Sequence, residues 1–308
     1  MRIGIMIPDV TDDTTLEKAL GQVERVERDG LDTVWFGQVF GADALTVIAL
    51  AGGRTSRVQF GTGVLPTYIR HPFAMAQQAM TVNAATGGRL TLGIGLSHAP
   101  VVEGMWGLSY EKPAQHMREY LSVLGPLVRE GGVAYQGEVF RVNQRMQPPE
   151  AHPFPILIAA LAPAMLRIAG EMADGTVTWM TGPKTVASHV APSINAAAEA
   201  AGRPRPRVVV GLPVAVADDA EAARERAAKL FRVYGYLPNY RRMLDKEGVE
   251  GPADVVITGD EAAVERQIRE LAEAGATDLM AAEFPVGDDA HASLDRTRAL
   301  LRSLAGKV

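Results

Sequence analysis

The sequence contains no cysteine, which excludes disulfide bonds, thiolate metal sites and a cysteine nucleophile. It also lacks any run of about 18 uncharged apolar residues, the length that a membrane-spanning helix needs. The apolar stretch at residues 1–9 is too short for a signal peptide. We therefore expect a cytoplasmic protein that has no membrane partner.

Excess charge of one sign is absent as well. The formal net charge is -5, with both signs mixed along the chain, so no basic face indicates a nucleic-acid partner. A hydrophobic content of 47% over 308 residues is enough to bury a full core. These properties favour a globular protein whose partners are small molecules.

Several catalytic motifs are missing. The sequence has no Rossmann fingerprint, no Walker-type phosphate loop, no His-Glu-x-x-His pair and no Gly-x-Ser-x-Gly elbow. We therefore expect no metal site, and a hydrolytic mechanism has little support.

Short apolar runs alternate with amphipathic stretches along the chain, which predicts a parallel sheet covered by helices. The predicted strands are Arg2–Ile7, Thr33–Phe36, Val58–Gly63, Leu90–Gly95, Pro155–Ala159, Thr176–Trp179, Arg207–Val216 and Asp278–Ala282. The first predicted helix follows a polar loop near Asp12 and Asp13 and ends near Asp29. The other predicted helices are Ala44–Ala51, Phe73–Ala85, Ala114–Val128, Met165–Met172, Lys184–Ala200, Ala220–Leu244, Glu261–Ala274 and Ala290–Leu304. Eight strands in a chain of this length favour a closed (β/α)8 TIM barrel over an open doubly wound sheet.

Two regions interrupt this alternation within what we predict to be one domain, residues 1–308. Residues 132–147 contain two β-rich stretches around Gln136-Gly137-Glu138, which predicts a hairpin insertion. Extra helices are predicted between residues 217 and 274.

Glycines mark the ends of two neighbouring strands, at Gly61-Thr62-Gly63 and Gly93-Ile94-Gly95. In a TIM barrel the ligand site lies at the carboxyl ends of the strands. Glycine there lets a flat ring lie against the backbone, because no Cβ holds it away. The alternative is that these glycines serve turns or close packing inside the barrel.

The strand at Pro155–Ala159 runs into a helix that opens with Pro163. Free backbone N–H groups at such a start could hold a phosphate. An ordinary helix start built from small residues is the alternative.

Several segments together resemble the luciferase-like oxidoreductases, in particular the branch that uses coenzyme F420, a 5-deazaflavin. The segments are GTGVLPTYIRHP at 61–72, GRL at 88–90 with LGIG at 92–95, AGE at 169–171 with ADG at 173–175, and GLDTVW at 30–35. The resemblance runs from residue 1 to about 300 and is weakest between 217 and 250. It implies a barrel with the deazaflavin at its mouth, with flavin mononucleotide (FMN) as the alternative cofactor, and a homodimer.

The same resemblance implies a non-proline cis peptide between Gly63 and Val64, behind the cofactor ring. By position it implies that the cofactor is bound by Gln38, Thr62, Gly63, Val64, Gly95, Leu96, Ser97, His98, Ala159, Ala160, Leu161, Ala162, Met180 and Thr181. The backbone N–H groups of 159–162 would face the phosphate of the cofactor tail.

The chain departs from the family pattern at two places. Some relatives carry a histidine after the second strand where this chain has Gln38, which can hydrogen-bond but cannot titrate. Where several relatives keep an acidic residue after the fourth strand, the nearest carboxylate here is Glu103. We therefore consider Gln38 and the possible proton carriers His98, His71 and Tyr68 as catalytic candidates, with a purely structural hydrogen-bonding role as the alternative for each histidine.

The resulting expectation is hydride transfer between F420 and a small, apolar organic substrate. Aromatic and apolar residues in or beside the loops suit such a substrate, although they could equally anchor the loops: Phe36, Phe40, Tyr68, Met105, Trp106 and Tyr110. The alternatives are an FMN-dependent monooxygenase and a noncatalytic barrel that binds the cofactor.

Overall fold

The computed structural model describes residues 1–8, 14–147 and 152–308. Its strands are β1 Arg2–Ile7, β2 Thr33–Phe36, β3 Gln59–Thr62, β4 Leu65–Pro66, β5 Leu90–Gly95, β6 Gly132–Gln136, β7 Arg141–Arg145, β8 Ile156–Ala159, β9 Gly175–Trp179, β10 Arg207–Val216, β11 Ile257–Gly259 and β12 Asp278–Glu283. In these ranges, eight parallel strands close into a barrel in the order β1, β2, β3, β5, β8, β9, β10 and β12, and β12 pairs with β1 again. The predicted (β/α)8 TIM barrel is confirmed.

Helices surround the barrel and connect successive strands. They are α1 Leu16–Arg28, α2 Ala44–Gly52, α3 Pro72–Ala85, α4 Ala99–Gly104, α5 Pro113–Glu130, α6 Pro163–Met172, α7 Pro183–Thr185, α8 Ala191–Ala200, α9 Ala220–Leu230, α10 Pro238–Glu247, α11 Glu261–Glu273 and α12 Ala290–Leu304. A side chain caps the first turn of several, as Asp260 does for α11 by accepting a hydrogen bond from the Ala263 N–H. None of the helices in the described ranges is long and apolar enough to cross a membrane.

The core has three parts, of which the smallest consists of Ala215, Ala227, Val256 and Phe284. A large apolar layer lies between the strands and the helices, as expected for a parallel sheet with both faces buried. A smaller cluster inside the barrel consists of Trp35, Leu157, Val177, Val209 and Met280. This inner cluster fills the barrel below its carboxyl-end mouth.

The structure differs from the predicted elements at several points. The helix predicted over Lys184–Ala200 is divided into α7, a π turn at Val186–Val190 and α8. The prediction of one helix over 220–244 is wrong. α9 ends at Leu230, a 3-10 turn follows at Arg232–Gly235, and α10 starts at Pro238. A continuous helix cannot pass through Pro238, because proline cannot continue a helix. Three elements were not predicted: the short helix α4, the two-residue strand β4, and the strand β11, which pairs with β10 outside the closed ring. The hairpin between 132 and 147 is present, with its return strand starting at Arg141 rather than Val139. The predicted loop residues Asp12 and Asp13 lie outside the described residues.

Candidate active site

A cavity of about 470 Å³ opens at the carboxyl ends of the barrel strands. This volume falls in the range that small-molecule sites occupy, about 300–1,000 Å³. Among the described residues that line it there is no lysine, arginine, aspartate or glutamate. The site therefore offers an apolar surface with a few neutral polar groups.

Backbone glycines form part of the floor. The expected cis peptide between Gly63 and Val64 is present, and Gly63, Val64 and Gly95 all line the cavity. A Cβ at Gly95 would lie 2.7 Å from Val64 Cγ2, and one at Gly63 would lie 2.7 Å from Met280 Sδ. Side chains at these positions would displace the floor of the cavity.

The other two glycines of these strand ends serve packing. A Cβ at Gly61 would come within 2.2 Å of the Trp35 ring, and one at Gly93 within 2.0 Å of the Thr62 carbonyl oxygen. Both positions are buried. Close packing thus accounts for all four glycines, and Gly63 and Gly95 also line the cavity.

Gln38 lies at the cavity in a fixed orientation. Its Oε1 accepts a hydrogen bond from the Ala44 N–H at the start of α2, at 3.0 Å, and lies 3.5 Å from Arg70 Nη2. Arg70 in turn forms an ion pair with Asp43, the N-cap of α2. Because Oε1 is held by these donors, the Nε2 amide group of Gln38 is left to donate to a ligand.

His98 is a titratable group that lines the cavity. Burial lowers the pKa of His98 from its ordinary value of 6.5. Its ring lies 5.7 Å from the ring of Tyr240, centroid to centroid. At neutral pH, His98 is therefore an uncharged imidazole that can donate from one ring nitrogen and accept at the other.

An aromatic wall, defined here as Trp179, Tyr234 and Tyr240, closes another side of the cavity. The Tyr234 ring meets Trp179 and Tyr240 edge to face at 5.7 Å and 5.2 Å. Burial raises the pKa of both tyrosines, so both hydroxyl groups keep their protons at physiological pH. The sequence analysis missed this wall, although the aromatic-rich segment 231–240, FRVYGYLPNY, carried a signal for it.

The aromatic wall is tied to the loop that follows β9. The buried carboxylate of Glu247, at the end of α10, accepts hydrogen bonds from the N–H groups of Lys184 (3.1 Å) and Thr185 (2.7 Å). The Thr185 hydroxyl donates to the Met243 carbonyl oxygen at 3.2 Å. The helix that carries Tyr240 and the first turn of α7 are therefore held together by side-chain bonds.

The structure brings about half of the sequence-predicted site residues to the cavity. Those that line it are Gln38, Gly63, Val64, Gly95, Ser97, His98, Ala159 and Leu161. Those outside its lining are Thr62, Leu96, Ala160, Ala162, Met180, Thr181 and His71.

Several of these outer residues have other structural tasks. The Thr62 hydroxyl donates to the Gly93 carbonyl oxygen and accepts from its N–H, which joins β3 to β5. Met180 is buried in the core, and the Thr181 hydroxyl donates to the Trp179 carbonyl oxygen. The structure does not bring His71 to the cavity, because His71 is exposed and caps α3 by accepting from the Phe73 N–H.

Tyr68 and Glu103 are the two remaining polar candidates. Tyr68 stacks on His116 at 4.1 Å and on Tyr110 at 5.4 Å, and burial raises its pKa to about 12. Glu103 accepts from the Tyr110 N–H at 3.4 Å. Neither lines the cavity. No group of three or more histidine, aspartate and glutamate side chains that could hold a metal occurs in ranges 1–8, 14–147 and 152–308.

Comparison with known proteins places this site in a family. The sequence profile of the luciferase-like monooxygenases matches residues 1–305. The chain belongs to the luciferase-like monooxygenase family. Among its curated relatives, the 5,10-methylenetetrahydromethanopterin reductase of Archaeoglobus fulgidus is 28% identical over 88% of this chain and 91% of the relative. The F420-dependent glucose-6-phosphate dehydrogenase of Nakamurella multipartita is 30% identical over 72% of this chain and 66% of the relative.

Solved structures agree on the fold. The coenzyme F420-dependent tetrahydromethanopterin reductase of Methanopyrus kandleri superposes with a TM-score of 0.79 at 21% identity, over 100% of this chain and 98% of that chain. The FMN complex of a type II Baeyer-Villiger monooxygenase component from Pseudomonas putida superposes with a TM-score of 0.78 at 17% identity, over 100% and 97% of the two chains. The luciferase-like barrel is thus shared by members of both cofactor classes.

Proposed function

We propose that this chain is a coenzyme F420-dependent oxidoreductase that transfers a hydride between the deazaflavin and a small, uncharged, apolar organic substrate. The observation that carries the proposal is the cavity floor, where the Gly63–Val64 peptide and Gly95 expose backbone at the mouth of the barrel. Curated relatives with functional names that include F420 support the choice of cofactor.

The residues present fit such a cofactor. Gly63 and Gly95 lie in the floor of a cavity of about 470 Å³ with space for a flat ring, and Met280 and Trp179 supply apolar contacts beside it. The N–H groups of Leu161 and Ala162 donate no hydrogen bond to any described residue, so they are free for an anionic tail. When bound, the deazaflavin supplies a hydride donor or acceptor at C5 of its ring.

The chain itself contributes orientation, exclusion of water and a proton. The Gln38 amide donates a hydrogen bond to the bound ligands, since its Oε1 is already held by α2. His98 holds or moves the proton that must accompany a hydride, because Gln38 cannot titrate. The aromatic wall covers the reacting space, which keeps water from it.

The substrate class follows from the lining. A phosphorylated sugar such as the glucose 6-phosphate named in one relative would meet no cationic side chain among the described lining residues, and the N–H groups at the start of α6 would already be occupied by the anionic cofactor tail. Burying an unpaired charge in an apolar site is strongly unfavourable. An uncharged apolar molecule, such as a ketone, an enone or the alcohol related to it, fits the cavity instead.

A titration with F420 and with FMN tests the proposal. Fluorescence quenching of the purified protein should give tight binding of F420 and weaker binding of FMN. Reduced F420 should then be oxidised without oxygen by at least one member of a panel of uncharged enones and ketones. Failure of F420 to bind would refute the proposal.

An FMN-dependent monooxygenase is the second candidate, because the P. putida protein with FMN has the same fold. Oxygen uptake distinguishes the two, since a deazaflavin lacks the N5 that a flavin uses to activate oxygen. Oxygen-dependent turnover with reduced FMN alone would favour this second candidate. Tight binding of F420 with no turnover of any substrate would instead favour a cofactor-binding barrel without catalysis.

A further inference from the structure

Tyr240 brings to the cavity a hydroxyl group that has no protein partner. The side chain lines the cavity from α10, and its ring lies 5.2 Å from the ring of Tyr234 and 5.7 Å from that of His98, centroid to centroid. Within residues 1–8, 14–147 and 152–308, the hydroxyl group forms no hydrogen bond, and its oxygen is not enclosed by the protein. A ligand in the cavity can therefore bind to it.

His98 is a second polar side chain at this place without a protein partner. It directly precedes α4, but its ring does not cap the helix, and its ring nitrogens hydrogen-bond to no residue of the described ranges. Burial lowers the pKa of His98 and raises that of Tyr240. Two neutral groups with free hydrogen-bonding capacity thus lie side by side in a mainly apolar cavity.

Free polar groups of this kind call for a reason. A polar group that leaves water without gaining a hydrogen bond makes the folded protein less stable. A role in catalysis is one reason for which native proteins keep such groups. Tyr240 and His98 belong to the lining of the proposed active site, so a substrate that carries an oxygen atom can supply the missing partner.

The position of Tyr240 is fixed without the help of its hydroxyl group. Its ring meets the Tyr234 ring edge to face, at an interplanar angle of 89°. The Glu247 carboxylate ties α10 to the first turn of α7 by two hydrogen bonds. A donor that is held in place before the reaction stabilises developing charge without a cost of reorganisation.

From this geometry we propose that Tyr240 is a catalytic residue, whose hydroxyl group donates a hydrogen bond to the substrate oxygen while His98 exchanges the proton. The inference rests on the proposed function, since it concerns the same reaction. It assigns to the aromatic wall a direct part in the chemistry, beyond the exclusion of water.

The reaction balances with these two side chains. In the oxidation of an alcohol, the C–H bond breaks and its electron pair leaves as a hydride to the oxidised deazaflavin. The O–H proton passes to a ring nitrogen of His98, and the C–O bond becomes C=O. Tyr240 keeps its own proton and stabilises the negative charge that develops on the oxygen. Reduction of a ketone is the reverse of these steps.

The test uses Tyr240→Phe, which removes one oxygen atom and keeps the ring. Rates are measured with reduced F420 and the ketone of the uncharged panel that the wild type reduces fastest. We expect kcat to fall about hundredfold, the effect of removing one hydrogen-bond donor to a developing oxyanion, with a smaller change in KM. Tyr234→Phe is the matched control, because it makes the same change on the same wall at a ring that contacts Trp179 and Tyr240. It should leave kcat nearly unchanged.

Two measurements without turnover accompany the rates. Chemical denaturation of the unliganded protein should give the same midpoint for Tyr240→Phe and the wild type, because the hydroxyl group bonds to no described residue. In protein loaded with oxidised F420, NMR titrations compare the dissociation constants of that ketone and of its analogue with CH2 in place of the carbonyl oxygen. Tyr240→Phe should reduce the preference for the ketone about tenfold, through the loss of one hydrogen bond.

The outcomes separate the two proposals. An unchanged kcat in Tyr240→Phe, an unchanged preference for the ketone, or an equal loss of kcat in Tyr234→Phe would refute the role of Tyr240 and leave the proposed function standing. A lower denaturation midpoint or a failure to fold in Tyr240→Phe would reveal a structural bond and would also refute it. A wild type that does not bind F420, or reduces no member of the panel, would instead refute the proposed function.

Discussion

Replacement of Gln38 by glutamate should move stability and ligand binding in opposite directions. Gln38 Oε1 accepts from the Ala44 N–H at 3.0 Å and lies 3.5 Å from Arg70 Nη2. A glutamate carboxylate can keep both contacts and adds a negative charge at the N-terminus of α2 and beside a cation. It removes the amide group that we propose donates to the ligand.

The magnitudes follow from these contacts. A charge at a helix N-terminus contributes about 0.3–1 kcal/mol. The partly buried Arg70 adds a favourable interaction with the new carboxylate, but this interaction is weakened because Arg70 already pairs with Asp43. We expect the free energy of unfolding to rise by about 1 kcal/mol. Loss of the donated hydrogen bond and a new negative charge in an apolar cavity should weaken F420 binding by about tenfold or more.

Two assays measure the two effects. Chemical denaturation of the unliganded protein gives the free energy of unfolding, and fluorescence titration gives the dissociation constant. Gln38→Leu is the control: it removes both the acceptor and the donor, so it should lower stability by about 1 kcal/mol and also weaken binding. A glutamate variant that is less stable than the wild type yet binds F420 equally well would refute this assignment of the two ends of the amide.

Four further predictions concern separate parts of the molecule. Glu119 is 5% exposed and accepts from three N–H groups of the hairpin at residues 138–140, so Glu119→Ala should lower the free energy of unfolding by about 3 kcal/mol. Burial opposes ionisation of this carboxyl group, but the hydrogen bonds prevail and lower its pKa. Its contribution to stability is therefore present above pH 4.5 and is lost as the pH falls through the depressed pKa, which denaturation at several pH values would detect. Burial lowers the pKa of His98 below 6.5, so substrate oxidation that needs the neutral imidazole should lose kcat/KM only below that pH, and an unchanged inflection in His98→Gln would contradict the assignment. Gly93→Ala would place a Cβ 2.0 Å from the Thr62 carbonyl oxygen and should cost about 3 kcal/mol of stability, whereas a melting temperature equal to that of the wild type would argue against this packing. We propose that the chain is a homodimer through the apolar helix α2, where Leu50 is 48% exposed. Leu50→Glu should then elute as a monomer in size-exclusion chromatography with light scattering, and a monomeric wild type would refute the dimer.

The barrel could be predicted because its strands are short and apolar on both faces. Runs such as Leu90–Gly95 and Arg207–Val216 lie between helices and interior side chains, so hydrophobicity alone marks them. The strand β11 escaped prediction because it has three residues and joins the sheet by pairing with the extended end of β10. That pairing is a tertiary contact which local sequence does not encode.

The cofactor side of the site was predictable from resemblance, and the opposite side was not. Gly63 and Gly95 lie in segments that carry the family resemblance, and both line the cavity. Tyr234 and Tyr240 belong to the region where the resemblance is weakest, and only the turn between α9 and α10 brings them over the barrel. Hydrophobic periodicity describes such residues as helix surface, since it carries no information about which strand end a helix covers.

The link through Glu247 has a consequence for how new specificities could arise in this scaffold. The helix that carries Tyr240 and the first turn of α7, which follows the cavity-lining Trp179, share the Glu247 carboxylate, so a change that shifts the helix also pulls on that turn. Variants selected for a larger or differently shaped reactant are therefore expected to alter affinity for the coenzyme as a side effect. Grafting the helix from a relative should succeed only when its own anchoring carboxylate is carried along with it.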